Sequence, residues 1–165
     1  MRDEKYWDAI WSRPYGKYNK NHQIIYEALR PYLRGQVADI GCGASLLHQA
    51  GNYQITGVDW SITGVEEAKK NVSRGTFIVA DAKNTTLSSK TYDTVVMMGL
   101  LDYFDDWKPI IDEAERLKKD GGHIFCTLLM GFQGHWWSTD LVKEKLGREP
   151  KSYQHITGNW VLIEV

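Results

Sequence analysis

Three aspartates recur at nearly equal spacing, and each follows a short apolar stretch of the chain. Asp39, Asp59 and Asp81 are separated by 20 and 22 residues, which suits one strand followed by one helix each time. Acids at the ends of neighbouring strands can accept hydrogen bonds from ribose hydroxyls and from the amino group of a purine. One such aspartate could be a helix cap, but three in series predict a nucleoside-binding edge.

The first aspartate leads into a turn with two glycines. Gly41 and Gly43 permit a tight turn and a close approach of the backbone to a ligand. A helix beginning at Ser45 would point its unpaired N–H groups at the same place. A dinucleotide fingerprint needs a third glycine where Leu46 stands, and the chain contains no G-x-x-x-x-G-K-[ST] phosphate loop. The turn therefore favours a nucleoside without phosphates.

Alternating strands and helices are predicted to position these residues. Strands are expected over 37–40, 54–58, 77–80, 92–98 and 123–129, and helices over 5–11, 21–35, 45–50, 61–72, 106–117 and 138–146. Asn21 and Asp106 are expected N-caps, Pro31 should shorten the second helix, and residues 120–122 should form a turn. Residues 151–157 and 160–165 predict a hairpin. Strands that are apolar on both sides indicate a doubly wound, Rossmann-like α/β sheet that is mostly parallel, with an antiparallel C-terminal hairpin strand.

These motifs resemble those of the class I S-adenosylmethionine-dependent methyltransferases. The resemblance is carried by residues 37–45, 57–61, 79–82, 92–103 and 115–122, in the family's order. It implies the class I methyltransferase fold, S-adenosyl-L-methionine as the cofactor and S-adenosyl-L-homocysteine as its product. The implied cofactor-binding residues are Asp39, Gly41, Cys42, Gly43, Asp59, Trp60, Asp81, Ala82, Gly99 and Leu100. Among them, Asp39 and the glycines would line the methionine part, Asp59 the ribose and Asp81 the adenine amino group.

Two departures from the family pattern bear on the chemistry. Tyr103 stands where family members often have a histidine, and a phenol is a poor general base near neutral pH. The candidate catalytic residues are His22, Tyr103 and His135. The Asn-Pro-Pro-Tyr type of motif is also missing after the fourth strand, which disfavours a nucleic-acid base as the methyl acceptor.

Aromatic residues outside the predicted core indicate the acceptor side of the site. Trp11, Tyr15, Tyr18 and Trp136 are the candidate substrate residues. We expect one domain over 1–165, with residues 1–35 as a helical lid and substrate segment and residues 36–165 as the Rossmann-like core. Such a pocket predicts a small-molecule acceptor that is methylated on oxygen or nitrogen, and the basic residues between Arg13 and Arg34 suggest that it is anionic.

Composition narrows the class of protein further. The net charge of −1 argues against a nucleic-acid binder. No apolar run approaches the ~20 residues that a membrane span needs, and the charged beginning does not resemble a signal peptide, so a cytoplasmic protein is expected. Cys42 and Cys126 lack metal-ligand spacing, so no metal is predicted and both are expected to be buried thiols.

Three functions stay open from the sequence. The first is small-molecule methyl transfer. The second is another transfer on the same fold, such as aminopropyl transfer, for which Asp102, Asp105 and Asp106 could hold a polyamine. The third is a non-catalytic module that binds S-adenosylmethionine or S-adenosylhomocysteine.

Overall fold

The computed structural model describes residues 3–12, 20–45, 47, 53–156 and 159–165. Within these ranges the chain forms five α-helices and seven β-strands. The helices are α1 (Glu4–Trp11), α2 (Lys20–Leu29), α3 (Ile62–Asn71), α4 (Lys108–Leu117) and α5 (Thr139–Leu146). The strands are β1 (Gln36–Ile40), β2 (Gln54–Asp59), β3 (Thr76–Val79), β4 (Tyr92–Met98), β5 (Lys118–Leu129), β6 (Ser152–Ile156) and β7 (Trp160–Glu164).

All seven strands belong to one sheet with the order β3-β2-β1-β4-β5-β7-β6. Strands β1 to β5 run parallel to one another, β7 is antiparallel to β5, and β6 is antiparallel to β7. This confirms the predicted fold class. The chain moves outward from β1 to β3 and then returns to the other side of β1 at β4. Ligands of doubly wound sheets bind at the carboxyl ends of the strands beside such a reversal.

Helices cover the sheet on both faces, because neighbouring residues of each strand point to opposite sides. On one face, Val95 and Ile124 pack with α4 and α5 around the buried Trp107. On the other face, Val96 and Phe125 pack with α2 and α3. The predicted shortening of the second helix is also confirmed, since α2 ends at Leu29 and a 3₁₀ turn over Arg30–Tyr32 contains the proline.

Four predicted boundaries were wrong. Asn21 lies inside α2 and is not its N-cap. Ser45 has a φ of 43°, which is left-handed, so it does not begin a helix. The N-cap of α4 is Trp107, whose burial fixes this position, while the carboxylate of Asp106 accepts a hydrogen bond from the Lys108 amide at 3.0 Å. The strand β3 ends at Val79, one residue earlier than expected.

The start of β5 also differs from the prediction. Residues 120–122 do not form a separate turn, because β5 already begins at Lys118 and pairs there with Tyr92. The ladder then shifts, and the next pair joins Thr94 to His123. The two glycines therefore belong to an irregularity within the strand, where Gly121 has a φ of 75°. Of the predicted helix over 45–50, the structure describes only Ser45 and Leu47. Gly158 of the predicted hairpin also lies outside the described residues.

Candidate functional site

Asp39, near the carboxyl end of β1, is a buried acid with little hydrogen bonding. Asp39 is 3% exposed. Within the described chain it has one hydrogen bond, from the Ser45 hydroxyl at 3.5 Å. Burial raises the pKa of Asp39 to about 8, and the nearby charge of Asp59 contributes to the same shift. A cation placed beside this carboxyl group would stabilise its charged form.

Asp59, at the end of β2, joins two turns of the backbone. Its Oδ2 accepts a hydrogen bond from the Gly43 amide at 2.8 Å, and its Oδ1 accepts one from the Ser61 amide, also at 2.8 Å. Burial raises the pKa of Asp59, while these backbone donors oppose the shift. Each carboxylate oxygen has a second lone pair, so Asp59 can also accept hydrogen bonds from a ligand.

The glycine turn between these acids is covered by the protein's own side chains. Gly41 and Gly43 have φ values of 74° and 48°, which few other residues adopt. A Cβ at Gly41 would lie 2.7 Å from Leu100 Cδ1, and one at Gly43 would collide with the indole of Trp11. Glycine is thus required here for the conformation and for the close approach of these two side chains.

Helix α1 is fastened to the same region through a second contact. Asp8 Oδ1 accepts hydrogen bonds from the Ser61 hydroxyl at 2.5 Å and from the Thr63 amide at 3.1 Å. The hydrogen bond from Ser61 is the main reason that the pKa of Asp8 lies below its usual value. Asp8 therefore sits at the N-terminus of α3, where a negative charge is favoured, and holds α1 over the glycine turn.

The structure brings two of the three predicted acids together and leaves the third apart. Asp81 lies two residues beyond the end of β3, in an exposed turn where it accepts a hydrogen bond from the Lys83 amide at 2.9 Å. Ala82 packs at the edge of the core on the α4 side. The displacement follows from the early end of β3, which lets the chain turn before the acid is reached.

An exposed apolar patch lies next to Asp59. Trp60 is 40% exposed, Ile62 is 49% exposed and Val79 is 47% exposed. Val79 is the register partner of Asp59 in the β2–β3 pair, Trp60 directly follows Asp59, and Ile62 is the first residue of α3. Trp60 was predicted to flank an adenine, whereas Ile62 and Val79 were not selected from the sequence. Exposed apolar groups near the ends of adjacent strands suit the face of a planar ring.

The end of β4 adjoins this turn. Gly99 has a φ of 60° and donates its N–H towards the backbone oxygen and the hydroxyl of Thr127, at 3.2 and 3.0 Å. Leu100 follows and rests against Gly41. The 3₁₀ turn Leu101–Tyr103 begins directly after it. The predicted cofactor residues after β1 and β4 are therefore neighbours in space.

A cavity of about 410 Å³ lies between the segments that follow β4 and β5. Its walls combine rings, carboxyl groups and one lysine: Asp102, Tyr103, Phe104, Asp105, Gln133, His135, Trp137 and Lys145. Tyr103 also contacts Trp7 of α1 and Phe132 edge to face, with ring centroids 4.7 and 5.1 Å apart. Helix α1 thus reaches both the glycine turn and the border of this cavity.

Asp102 also lines this cavity, and the sequence did not single it out for catalysis. The Trp137 indole N–H donates to its Oδ1 at 2.9 Å, and the Leu129 amide lies 3.3 Å from both of its oxygens. Burial raises the pKa of Asp102 to about 7, against the lowering effect of these two donors. Its position after an apolar strand was visible in the sequence, but its partners, 27 and 35 residues away, were not.

The other predicted residues are placed as follows. His135 stacks on Trp137, with ring centroids 4.9 Å apart, and lines the cavity. Trp136 is 69% exposed, whereas Trp137 is only 2% exposed and belongs to the core. Trp11 covers the glycine turn instead of lining the cavity. Tyr15 and Tyr18 lie outside the described residues, and so does the side chain of His22.

Two further observations limit the chemistry of the site. Cys42 and Cys126 are buried free thiols, as expected, and burial raises the pKa of each. Among the described residues, no group of three or more His, Cys, Asp or Glu side chains is arranged to hold a metal ion.

No helix in the described ranges is long and apolar enough to span a bilayer.

A comparison with known protein families identifies the class. A methyltransferase-domain family matches residues 38–126, which is 89 of the 165 residues. The chain therefore belongs to the class I S-adenosylmethionine-dependent methyltransferases. This confirms the predicted family and the cofactor that defines it, S-adenosylmethionine.

Individual relatives are more distant. The chain is 26% identical over 140 residues to a ubiquinone biosynthesis O-methyltransferase of Vibrio cholerae. The match covers 76% of this chain and 55% of that protein. It is 35% identical over 100 residues to a ubiquinone/menaquinone biosynthesis C-methyltransferase of Desulfotalea psychrophila, covering 56% and 40%. The chain thus spans about half the length of the curated relatives it matches.

Solved structures agree on the fold. The magnesium protoporphyrin IX methyltransferase of Synechocystis with bound SAH superposes with a TM-score of 0.75 at 18% identity. The match covers 98% of this chain and 96% of that one.

Proposed function

We propose that this protein transfers a methyl group from S-adenosylmethionine to an oxygen or nitrogen nucleophile of a small molecule. The observation that carries the proposal is the pair Asp39 and Asp59 at the ends of two adjacent parallel strands. One is a buried acid with a single long hydrogen bond within the described chain, and the other is fixed by two backbone amides. The pair lies beside the reversal of strand order, where this fold binds ligands.

The residues present fit this cofactor. A ligand that carries a sulfonium and an ammonium group would offset the unfavourable burial of the Asp39 carboxylate. A ribose would offer two hydroxyl donors to the remaining lone pairs of Asp59. The exposed apolar faces of Trp60, Ile62 and Val79 would suit an adenine beside that ribose. Asp81 remains the proposed partner of the adenine amino group, although it lies farther out than the other two acids.

The cofactor, when bound, supplies an activated methyl group on sulfur. The task of the protein is to hold the acceptor in line with it, and such positioning is worth roughly 7–11 kcal/mol in well-oriented systems. Leu100 and Gly99 would form the floor between cofactor and acceptor. We infer that residues 1–35 act as the lid, because Trp11 and Asp8 already hold α1 against the glycine turn.

The cavity after β4 and β5 is the proposed acceptor site. Its volume of about 410 Å³ falls within the usual range of small-molecule pockets, roughly 300–1,000 Å³. The name of the Vibrio cholerae relative supports an oxygen acceptor, while that of the Desulfotalea psychrophila relative keeps carbon as an alternative. Aminopropyl transfer stays the alternative on the same fold, because Asp102 and Asp105 both line this cavity.

Methyl incorporation tests the proposal directly. We expect the purified protein, given cofactor labelled with deuterium in the methyl group and a metabolite extract, to produce labelled small molecules detectable by mass spectrometry. Asp59→Ala should abolish the labelled products because the ribose loses its acceptor. Tight binding of S-adenosylhomocysteine without any labelled product would contradict methyl transfer and support a binding module instead.

A further inference from the structure

We propose that Asp102 is the proton acceptor for an aromatic hydroxyl compound bound in the cavity between the segments after β4 and β5. This inference rests on the proposed methyl transfer and names the chemical class of its acceptor. It assigns a catalytic role to a buried acid that the sequence had indicated only as a possible holder of a polyamine.

The hydrogen bonds of Asp102 leave one of its oxygens available. Trp137 donates to Oδ1 at 2.9 Å, and the Leu129 amide is shared between both oxygens at 3.3 Å. Within the described chain, Oδ2 therefore has only the shared and longer of these contacts. The residue is 6% exposed and lines the cavity, so the proposal takes a donor bound in the cavity as the partner of Oδ2.

The remaining walls favour a flat ligand with hydroxyl groups. Phe104, Tyr103 and His135 contribute rings to the lining of the cavity, and rings pack well against the faces and edges of other rings. The Gln133 amide can both donate and accept hydrogen bonds. An aromatic ring with one or two hydroxyl groups would fill such a space and bring an O–H donor to Asp102.

Two contacts connect the segment that lines this cavity with the glycine turn. Asp102 is two residues after Leu100, and Leu100 rests against Gly41. Tyr103 borders the cavity and contacts Trp7 of α1, the same helix whose Trp11 covers Gly43. The acceptor and the methyl donor would therefore lie on adjacent sides of the segment that follows β4.

The proposed step is balanced in protons and electrons. The acceptor hydroxyl gives its proton to Oδ2 of the Asp102 carboxylate, and its oxygen takes the methyl group. The bond between that methyl carbon and sulfur breaks, and its electron pair stays on sulfur, which becomes a neutral thioether. The carboxylate then becomes a carboxylic acid, which releases its proton to solvent after the product has left.

The electrostatic setting suits this role. Burial raises the pKa of Asp102 to about 7, and a base is most effective when its pKa lies near the working pH. The titratable or charged groups that face Asp102 come from every neighbouring segment: Tyr103 and Asp105 after β4, Cys126 in β5, His135 after β5 and Lys145 in α5. The Lys145 amine donates to the Asp105 backbone oxygen at 2.7 Å, so its charge is held at the rim beside Asp105.

A binding experiment can test the assignment without knowledge of the natural acceptor. The probe is catechol, and the comparison compound is 1,2-dimethoxybenzene, which has the same ring but no O–H donor. Both are titrated into the protein saturated with S-adenosylhomocysteine, and the indole N–H signal of Trp137 is followed by NMR. We expect catechol to shift this signal and to bind roughly tenfold more tightly than the dimethoxy compound at about pH 8.5, where Asp102 is ionised.

The preference should depend on the ionisation of Asp102. Below about pH 5.5 the carboxyl group is protonated, so the advantage of catechol should shrink several-fold in the wild-type protein. Asp102→Asn should remove both the preference and its pH dependence. The matched control is Asp112→Asn, an exposed carboxyl group on α4 whose replacement should leave both unchanged.

Three outcomes would overturn the proposal. They are no shift of the Trp137 signal at millimolar catechol, an equal affinity for both compounds at high pH, or a preference that persists unchanged at low pH. The last two are measured on the wild-type protein, so they decide even if Asp102→Asn fails to fold. Failure of the proposed function would instead show as loss of S-adenosylhomocysteine binding, which is measured before either probe is added.

Discussion

Asp39 is a buried acid whose position costs stability when no ligand is bound. Its carboxyl group is buried, and its single described hydrogen bond is long. The folded protein without ligand therefore holds a proton on Asp39 at a pH where the unfolded chain would have lost it, because burial raises the pKa to about 8. A cationic ligand would reverse this penalty.

The variant Asp39→Asn should reveal that penalty through its pH dependence. Between about pH 4 and 8 the folded state binds more protons at Asp39 than the unfolded state, so the free energy of unfolding falls as the pH rises. Asparagine has no proton to lose. The free energy of unfolding of the variant minus that of the wild type should therefore rise from pH ~5 to pH ~9 by at least ~1.4 kcal/mol, the equivalent of one pKa unit.

Chemical denaturation at several pH values would measure this difference. Asp112→Asn, which removes an exposed carboxyl group, serves as the control and should show no such trend. A difference between Asp39→Asn and wild type that stays constant over the whole range would show that Asp39 is not protonated in the folded state.

The sequence predicted some site residues and not others for a definite reason. Asp39 and Asp59 follow apolar strands, and residues at the ends of adjacent parallel strands must meet at one edge. The contact of Asp102 with Trp137 is different, because it depends on how the segment after β5 folds back over 35 residues of chain. Nothing in the local pattern distinguished the buried Trp137 from the exposed Trp136.

Helix α1 contacts several segments of the candidate site, although the helix itself has little burial. None of its residues is buried, yet Trp7 contacts Tyr103, Asp8 accepts hydrogen bonds at the N-terminus of α3, and Trp11 covers Gly43. Helices held by few buried contacts open at low free-energy cost. We therefore expect α1 to move when the cofactor enters or leaves, in keeping with its proposed role as a lid.

Asp8→Ala should loosen this lid. The carboxylate accepts two hydrogen bonds at the N-terminus of α3, and loss of a capping side chain typically costs ~1 kcal/mol. If closure of α1 limits release, S-adenosylhomocysteine should dissociate roughly fivefold faster from the variant, as measured by stopped-flow tryptophan fluorescence.

Glu66→Ala removes an exposed acid from α3 and serves as the control for charge. The lid assignment would fail if Asp8→Ala released the ligand at the wild-type rate, or if Glu66→Ala accelerated release equally.

Element types were easier to predict from the sequence than element ends. The apolar runs indicated β1, β2 and β4, and the predicted helix starts at Ser61 and Ser138 are the N-caps of α3 and α5. Boundaries failed where tertiary contacts overrule local preference. Trp107 replaces Asp106 at the N-cap of α4 because it is drawn into the core, and Lys118 pairs with Tyr92 before the glycines.

At the scale of the whole molecule, strand order determines which acids can share a ligand. β1 lies between β2 and β4, so the segments with Asp39, Asp59 and Leu100 adjoin one another. β3 is the edge strand beyond β2, and Asp81 lies in the exposed turn that follows it. The alternation of strands and helices predicted this order. It could not predict how far the chain continues past β3 before it turns.

Binding of S-adenosylhomocysteine to the wild-type protein and to Asp59→Ala tests the central claim most directly. At about a hundred times its dissociation constant, the ligand should stabilise the wild-type fold by ~2.7 kcal/mol, seen as an increase in Tm. Asp59→Ala should lose most of this stabilisation while keeping its circular dichroism spectrum, because the ribose loses its hydrogen-bond acceptor and the Gly43 amide of the glycine turn loses its own. An absent shift in the wild-type protein at millimolar ligand, or an equal shift in the variant, would contradict the assignment of this edge of the sheet as the cofactor site.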